Sequence, residues 1–435
     1  MVGPLAPYRV IELSSDRGAF AGKLMAEMGA DVIVVEPPDG DPSRGYGPFA
    51  DDIPGPESSL WWWHYNTSKR GVTLDLDNPE DRDRLRTLVD DADIFLESEA
   101  PGRLAELGLD YDSLSESHED LIHVSITPFG RSGPRRDEPA TDLTLLAGGG
   151  PVWSCGYDDH SLPPVRGGGN QAFHTACHFA VMSTLVALLA RGQTGRGQFI
   201  DVNMHAAANV TTEVSSYGWL AAGQEVMRQT GRHAAGKPTG PTQARCADGR
   251  WVNTGVPPMK GQEFKALVEW IDELGVRTDF PDSAVLELGA SYERITVAMI
   301  QEEELCAQIF GAGRAAMIFL AAKMGAYEFF VGTQQRGLPT GIVNAPEDLM
   351  DDPHFVDRGF PVEVPYDTLQ RVVRHPGAPI RFTKSPWELR SRAPHIGEHN
   401  EAVFGDVDLT EAEESTPRRS SWASMPERRR GFGRR

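Results

Sequence analysis

Two apolar runs with a helical pattern between them constrain this chain most. YRVIEL (8–13) and DVIVVE (31–36) read as buried strands, and DRGAFAGKLMAEMGA between them spaces its apolar residues by three and four. Strand, helix and strand within about thirty residues form a crossover unit, so the two strands run parallel. The alternation continues through GVTLDL, NPEDRDRLRTLVDDA, DIFLES, APGRLAELG and LIHVSITPFG, with Asn78 as an N-cap and Pro79 at the first helical position. The expected fold class is α/β, with an open parallel sheet to about residue 130. Ligands in such sheets sit at the carboxyl ends of strands, here 13–18, 36–41, 97–102 and 127–131. The first turn, SSDRGAF, lacks GxGxxG, so the acid Glu36 does not make a nicotinamide site.

At 435 residues the chain exceeds one ordinary core, and two domains are expected. Residues 225–250, rich in Gly, Pro, Thr and basic side chains, read as a linker, and a helical region follows to about 330. The expected division is a large Rossmann-like domain over 1–225, a linker and smaller α+β domain over 226–330, a return to the large domain over 331–412, and a tail over 413–435. A formal charge of −21 opposes general nucleic-acid binding but leaves room for a small anion in a local basic pocket. The end of the chain, RRSSWASMPERRRGFGRR (418–435), carries seven Arg against one Glu and reads as a solvated, disordered tail. Cys155, Cys177, Cys246 and Cys306 form no CxxC pair, as in a reduced, cytoplasmic protein. The N-terminus does not read as a signal peptide, and no membrane span is expected.

RGGGNQAFHTACHF (166–179) opens a long helix over 170–191. Its three glycines let backbone approach a ligand closely, as at many active sites. Yet the stretch holds no Asp, Glu, Ser or Lys; only His174, Thr175, Cys177 and His178 are reactive. His174 is the candidate base, because imidazole moves protons near neutral pH. His178, one turn on, faces the same side, but no third ligand is evident and no metal is expected.

The order of motifs resembles the family III coenzyme A transferases, the carnitine dehydratase and bile-acid-inducible protein group. The resemblance rests on PLAPYRVIELSS, LMAEMGADVIVVEPPDGDPSRGYGP, NTSKRGVTLDLDNPEDRDRL, ADIFLESEAPGRLAELGLDYDSL, VSITPFGRSGP, ALLARGQTGRGQFIDVNM, ADGRWVNTG, RGLPTGIVNAPEDLMDDPHFVDRG, HPGAPIRFTKSP and HIGEH. It implies a Rossmann-like large domain completed by C-terminal segments, a smaller inserted domain, and two chains threaded as interlocked rings. It also implies CoA or acyl-CoA as substrate. In the transferases an Asp carboxylate attacks the thioester, a mixed anhydride forms and CoA thiolate leaves. The related racemases pair a His and an Asp as acid and base.

Carried onto this sequence, the nucleophilic position falls at Phe173, and neither Ala172 nor His174 beside it is a carboxylate. The racemase His falls at Thr141, while Asp142 matches the Asp after it. Glu97-Ser98-Glu99 stands where the family has ENF, Glu106 replaces a common Arg, and GKPTGPTQ, with Pro241 and Thr242, takes the place of a glycine loop. Retained are Arg17, Gly18, Lys69, Arg70, Gly130 and Arg131, expected to hold the anionic parts of CoA, with weakened affinity. Three functional expectations follow. One is altered acyl-CoA chemistry of racemase, isomerase or hydratase type with His174 as base. Another is a non-catalytic subunit or acyl-CoA binding protein, as a homodimer or paired with an Asp-bearing paralogue. The third is a transferase whose carboxylate comes from Asp142 or Asp158-Asp159.

Overall fold

Six strands, the inner ones largely buried, frame the first part of the molecule. The computed structural model describes residues 2–405, so the Arg-rich tail lies outside the described residues. The elements run β1 (Arg9–Leu13), α1 (Ala19–Glu27), β2 (Asp31–Glu36), α2 (Leu60–Tyr65), β3 (Arg70–Thr73), α3 (Pro79–Asp90), β4 (Ile94–Glu97), α4 (Arg103–Glu106), α5 (Tyr111–Ser115), β5 (Ile122–Thr127), α6 (Asp142–Gly149), α7 (Gln171–Thr194), β6 (Gln198–Asn203) and α8 (Met204–Asn209). The strands form one sheet in the order β3-β2-β1-β4-β5-β6, and every pair is parallel. Ile11 lies opposite both Ile33 and Phe95, and β4 and β5 are buried along their whole length. Strands apolar on both faces are what a sheet covered by helices on both sides requires. The order reverses between β1 and β4, which opens a crevice at their carboxyl ends.

One charged pair is sealed inside this unit. Lys69 Nζ lies 2.8 Å from Glu12 Oε2 with both side chains at 0% exposure. It also donates to Ala19 O and Asn66 Oδ1, each at 2.9 Å. Burial pushes the Glu12 carboxyl up to about 7 although Lys69 opposes the rise, and burial lowers the Lys69 ammonium. Gly22 makes room for the pair, since a Cβ there would sit 1.8 Å from Glu12 Oε2. The sequence suggested Lys69 as a ligand contact; its three donors are instead spent inside the fold. Arg70 pairs with Asp31 Oδ2 at 2.7 Å, half in solvent.

The C-terminal segments complete the same unit. Arg390 Nη2 donates to Ala26 O and Ala30 O at the end of α1, and Trp387 Nε1 donates to Glu27 Oε2. Trp62 Nε1 and Arg44 Nη2 both donate to Pro394 O, while Arg44 also clasps Glu36 through Nε and Nη2. The short helix Asn400–Phe404 follows, held to β3 through Asn400 and Thr73.

The chain divides into two compact units, the second comprising Gly150–Arg166 and Thr212–Pro353. It has an α+β core of Phe264, Trp270, Ile309, Met317 and Phe329 under helices Gly261–Glu273 and Glu304–Ala321. Its three-stranded antiparallel sheet joins Gln243–Arg245, Trp251–Asn253 and Gly341–Ile342. The departure from the first unit thus comes after Thr211, not 225, and the return at His354, not 331. Residues 150–166 go with the second unit because Trp153 Nε1 donates to Val226 O and Arg228 Nη2 to His160 O and Leu162 O. The supposed linker at 225–250 contains the hairpin Met227–Gln229 with Arg232–Ala235. Strands of three or four residues are too short to show alternation. Two helices, Gln171–Thr194 and Glu304–Ala321, are long and apolar enough to cross a membrane by length and composition, although no span was expected; each buries about half of its most apolar stretch inside the fold.

Two outcomes test this packing. Lys69→Met leaves Glu12 buried and unpaired, and is expected to cost about 3–5 kcal/mol in urea unfolding, against ~0–1 kcal/mol for Arg70→Met. Burial holds His64 down to about 3 and His375 down to about 4. Unfolded histidine takes a proton below about 6.5, so the unfolded state binds more protons between pH 6.5 and 4. Stability therefore falls as pH falls through that window, by up to ~1.4 kcal/mol per pH unit per histidine. His375→Gln is expected to flatten the slope of unfolding free energy against pH.

Candidate active site

Helix α7 starts where a nucleophile was sought. Its N-cap, Asn170, gives no side-chain cap. Asp142, the first residue of α6, supplies one from a distance: Oδ1 accepts from Ala172 N at 2.8 Å and from Phe173 N at 3.4 Å. A carboxylate at a helix N-terminus satisfies orphan N–H groups and complements the dipole. Asp142, suggested as a catalytic acid, is buried and engaged in this capping.

Phe173 is buried at 7% exposure. Beside it, His174 stacks on Phe20 with ring centres 4.2 Å apart and planes 21° apart. His174 Nε2 lies 2.7 Å from Tyr65 Oη. His178 meets the edge of Phe20 at 5.4 Å, and its Nδ1 lies 2.8 Å from His174 O, positioned to donate to it. Burial lowers the His174 imidazole, with His178 adding to the effect, and pushes the Tyr65 phenol up to about 12. Both groups are neutral at pH 7 and share one hydrogen bond, its direction set by the imidazole tautomer. Cys177 is an unreactive thiol: burial pushes it up to about 12, and Sγ sits 3.2 Å from Arg17 O. That contact fastens α7 to the start of α1. The sequence did not single out Tyr65 or Phe20, since nothing in LWWWHY or RGAF marks one aromatic ring as the partner of a histidine over a hundred residues away.

The other suggested residues are scattered. Gly18 begins α1, where a Cβ would sit 2.9 Å from Ser98 Oγ, a buried hydroxyl without a hydrogen-bond partner. The Arg17 guanidinium makes no hydrogen bond or ion pair among the described residues, and its backbone N–H bonds Ser15 Oγ. Gly130 takes φ 81° in the turn after β5. Arg131 is committed to Glu97, to Ser125 Oγ at 2.6 Å and to Ala100 O. Asp158 and Asp159 belong to the second unit, the first paired with Arg232 and the second accepting from Ser161. Thr242, also in that unit, donates to Gly231 O.

The crevice at the carboxyl ends of β1, β2, β3 and β4 holds a cavity of about 470 Å³. Asp16, Glu36, Asp41, Asp75, Asp77 and Glu99 line it against a single guanidinium, Arg103. Burial raises Asp16 and Glu99, the latter also through Glu97. Glu99 was noted in the sequence as a departure from ENF; Asp75 and Asp77 were not, because only the fold brings the end of β3 beside the end of β1.

Tyr65→Phe tests the histidine's setting. Loss of the partner of a mostly buried ring nitrogen is expected to cost about 1 kcal/mol in urea unfolding.

Comparison with known proteins agrees with this architecture. Residues 5–400 match the family model described as CoA-transferase family III. The chain is 33% identical over 397 residues to succinyl-CoA:(R)-benzylsuccinate CoA-transferase subunit BbsE of Thauera aromatica, covering 91% of this chain and 92% of that one. It is 28% identical over 411 residues to the succinyl-CoA–L-malate CoA-transferase beta subunit of Chloroflexus aurantiacus, covering 93% and 94%. A CaiB/BaiF family protein from Brucella suis shares the fold at a TM-score of 0.75 and 26% identity, over 94% of this chain and 100% of that one. With the ordered motifs, the six-stranded parallel sheet and a family match across nearly its whole length, the chain belongs to CoA-transferase family III.

Proposed function

We propose that this chain is the subunit of a heteromeric family III CoA-transferase that does not carry the nucleophile, with an Asp-bearing paralogue as its partner. The observation that carries this reading is Phe173, a buried ring at the position where the resemblance puts the attacking carboxylate. An aromatic ring cannot attack a thioester carbonyl, so the C–S bond is not broken through an anhydride on this chain. The neighbouring carboxylate, Asp142, caps α7. Arg70 and Arg131 are spent on Asp31 and Glu97, and Lys69 on Glu12, which leaves few cations for CoA phosphates. Two of the relatives are themselves designated as subunits. The substrate class is an acyl-CoA thioester with a free carboxylate as acceptor.

A second reading has one specific observation in its favour. A neutral imidazole whose Nε2–H donates to Tyr65 Oη keeps Nδ1 free to take a proton from the carbon next to a thioester. Incorporation of solvent deuterium into acyl-CoA by the isolated chain would favour it.

The test is transfer from succinyl-CoA by the isolated chain and by the co-expressed pair. The isolated chain is expected to turn over at least ~10³-fold more slowly than the pair, because loss of a covalent nucleophile removes the two-step route. Hydroxylamine should trap an activated carboxyl on the partner alone, and trapping on this chain overturns the reading. Phe173→Asp in the isolated chain reads out how much of the acyl site survives.

A further inference from the structure

The cations of the second unit and the segment GKPTGPTQ have no role in the reading above. Arg314 stands on the helix Glu304–Ala321, with its guanidinium 5.2 Å from the centre of the Phe310 ring. It lies against the loop at Gly240, where a Cβ would come within 1.5 Å of Nη1. That loop is pinned on both sides of the contact. Thr239 gives its N–H and its hydroxyl to Gln229 Oε1, at 2.6 and 3.1 Å, and Thr242 donates to Gly231 O at 2.9 Å. The residue after Gly231, Arg232, opens the second strand of the hairpin and gives Nη2 to Asp158. One short loop thus ties the arginine on the helix to the arginine on the hairpin.

The Arg314 guanidinium makes no hydrogen bond and no ion pair among the described residues, although acids outnumber bases by 63 to 42 in the chain. Burial lowers it from the usual arginine range, and the charge of Arg232 adds to the effect. A half-buried cation beside a second one is held at a cost unless an anion joins them. The terminal nitrogens are open to one. Neither Nη atom of Arg314 nor Nη1 of Arg232 is closed off from solvent, and no described protein group accepts from them. A guanidinium fork offers N–H donors without an acceptor and pairs with a carboxylate through two parallel bonds. The two arginines and Asp158 together carry a single positive charge, which matches one carboxylate rather than a doubly charged phosphate group. We propose that Arg314 and Arg232 hold the carboxylate of a small organic acid against the Gly240 loop. Glycine at 240 leaves the space for the guanidinium, and Arg232 divides its donors between Asp158 and the ligand. All of these residues belong to the second unit. The inference does not rest on the reading of Phe173, and binding tests it rather than turnover.

Calorimetry with succinate on the full-length chain is the experiment, with succinamide as a neutral probe of the same length. Succinate is expected to bind, and succinamide is not. Arg314→Gln should weaken succinate at least ~10-fold, the effect of losing charge-assisted hydrogen bonds, and Arg232→Gln should act in the same direction. Gly240→Ala should weaken it too, because the new Cβ displaces the guanidinium while the net charge stays the same. Amides in 231–242 should exchange more slowly with succinate present, and Arg314→Gln should remove that protection. Absence of succinate binding overturns the proposal, as does equal affinity in the wild-type and Arg314→Gln proteins. Binding of inorganic phosphate or coenzyme A through Arg314 in preference to succinate assigns the pair to a phosphate and overturns the carboxylate. Loss of urea stability in Arg314→Gln without any change in succinate affinity assigns the arginine to an internal ion pair and also overturns it.

Discussion

The Glu12–Lys69 pair is the interaction from which the geometry of the first unit follows. It joins β1 to the turn before β3, and Lys69 reaches the first carbonyl of α1 through Ala19 O. A buried pair of this kind gives little net stability compared with apolar packing, but losing either partner strands a charge in the core. Its value is positional. Only one placement of α1 against the sheet satisfies all of Lys69's donors, and only glycine at position 22 lets the helix come that close. With α1 placed, Arg17 O receives Cys177, and α7 is held with Phe173 and His174 beside Phe20.

The arrangement at the head of α7 is finished as a structure and has no carboxylate of its own from Asn170 to Arg191. Its N–H groups are capped by Asp142, its histidine is stacked and hydrogen-bonded, and its thiol is buried. A carboxylate in place of Phe173 would lie on the same helix turn that Asp142 already serves, where two negative charges would repel. The electrostatics of the strand ends point the same way. Carboxylates dominate a crevice that in an open α/β sheet is the usual seat of a ligand, so a polyanion meets repulsion there.

Local pattern carried much of the architecture. Continuous apolar runs at 9–13, 31–36 and 122–127 can only be strands buried on both faces, and intervals filled by helices force them parallel. Asn78 caps α3 through Glu80 N because an Asn before Pro-Glu offers an acceptor where the helix has spare donors. The lack of a carboxylate from Asn170 to Arg191 was legible too, since it needs only a reading along one helix. What the sequence alone determined about this protein is therefore its α/β class, its family and the absence of a carboxylate at the head of α7.

The partners of charged residues were decided only by the tertiary structure. Lys69 and Arg131 look like ligand-binding cations in a string of letters, yet the fold sets each against a buried acid, Glu12 and Glu97. Asp142 reads as an acid beside a lost histidine, and becomes a helix cap because α6 starts under α7. The unit boundary at Thr211 depends on bonds such as Trp153 to Val226, which leave no periodic trace. The physical reason is common to all four. Periodicity records which face of an element is buried, whereas the free energy of a charge or an orphan N–H depends on the one group opposite it, often hundreds of residues away.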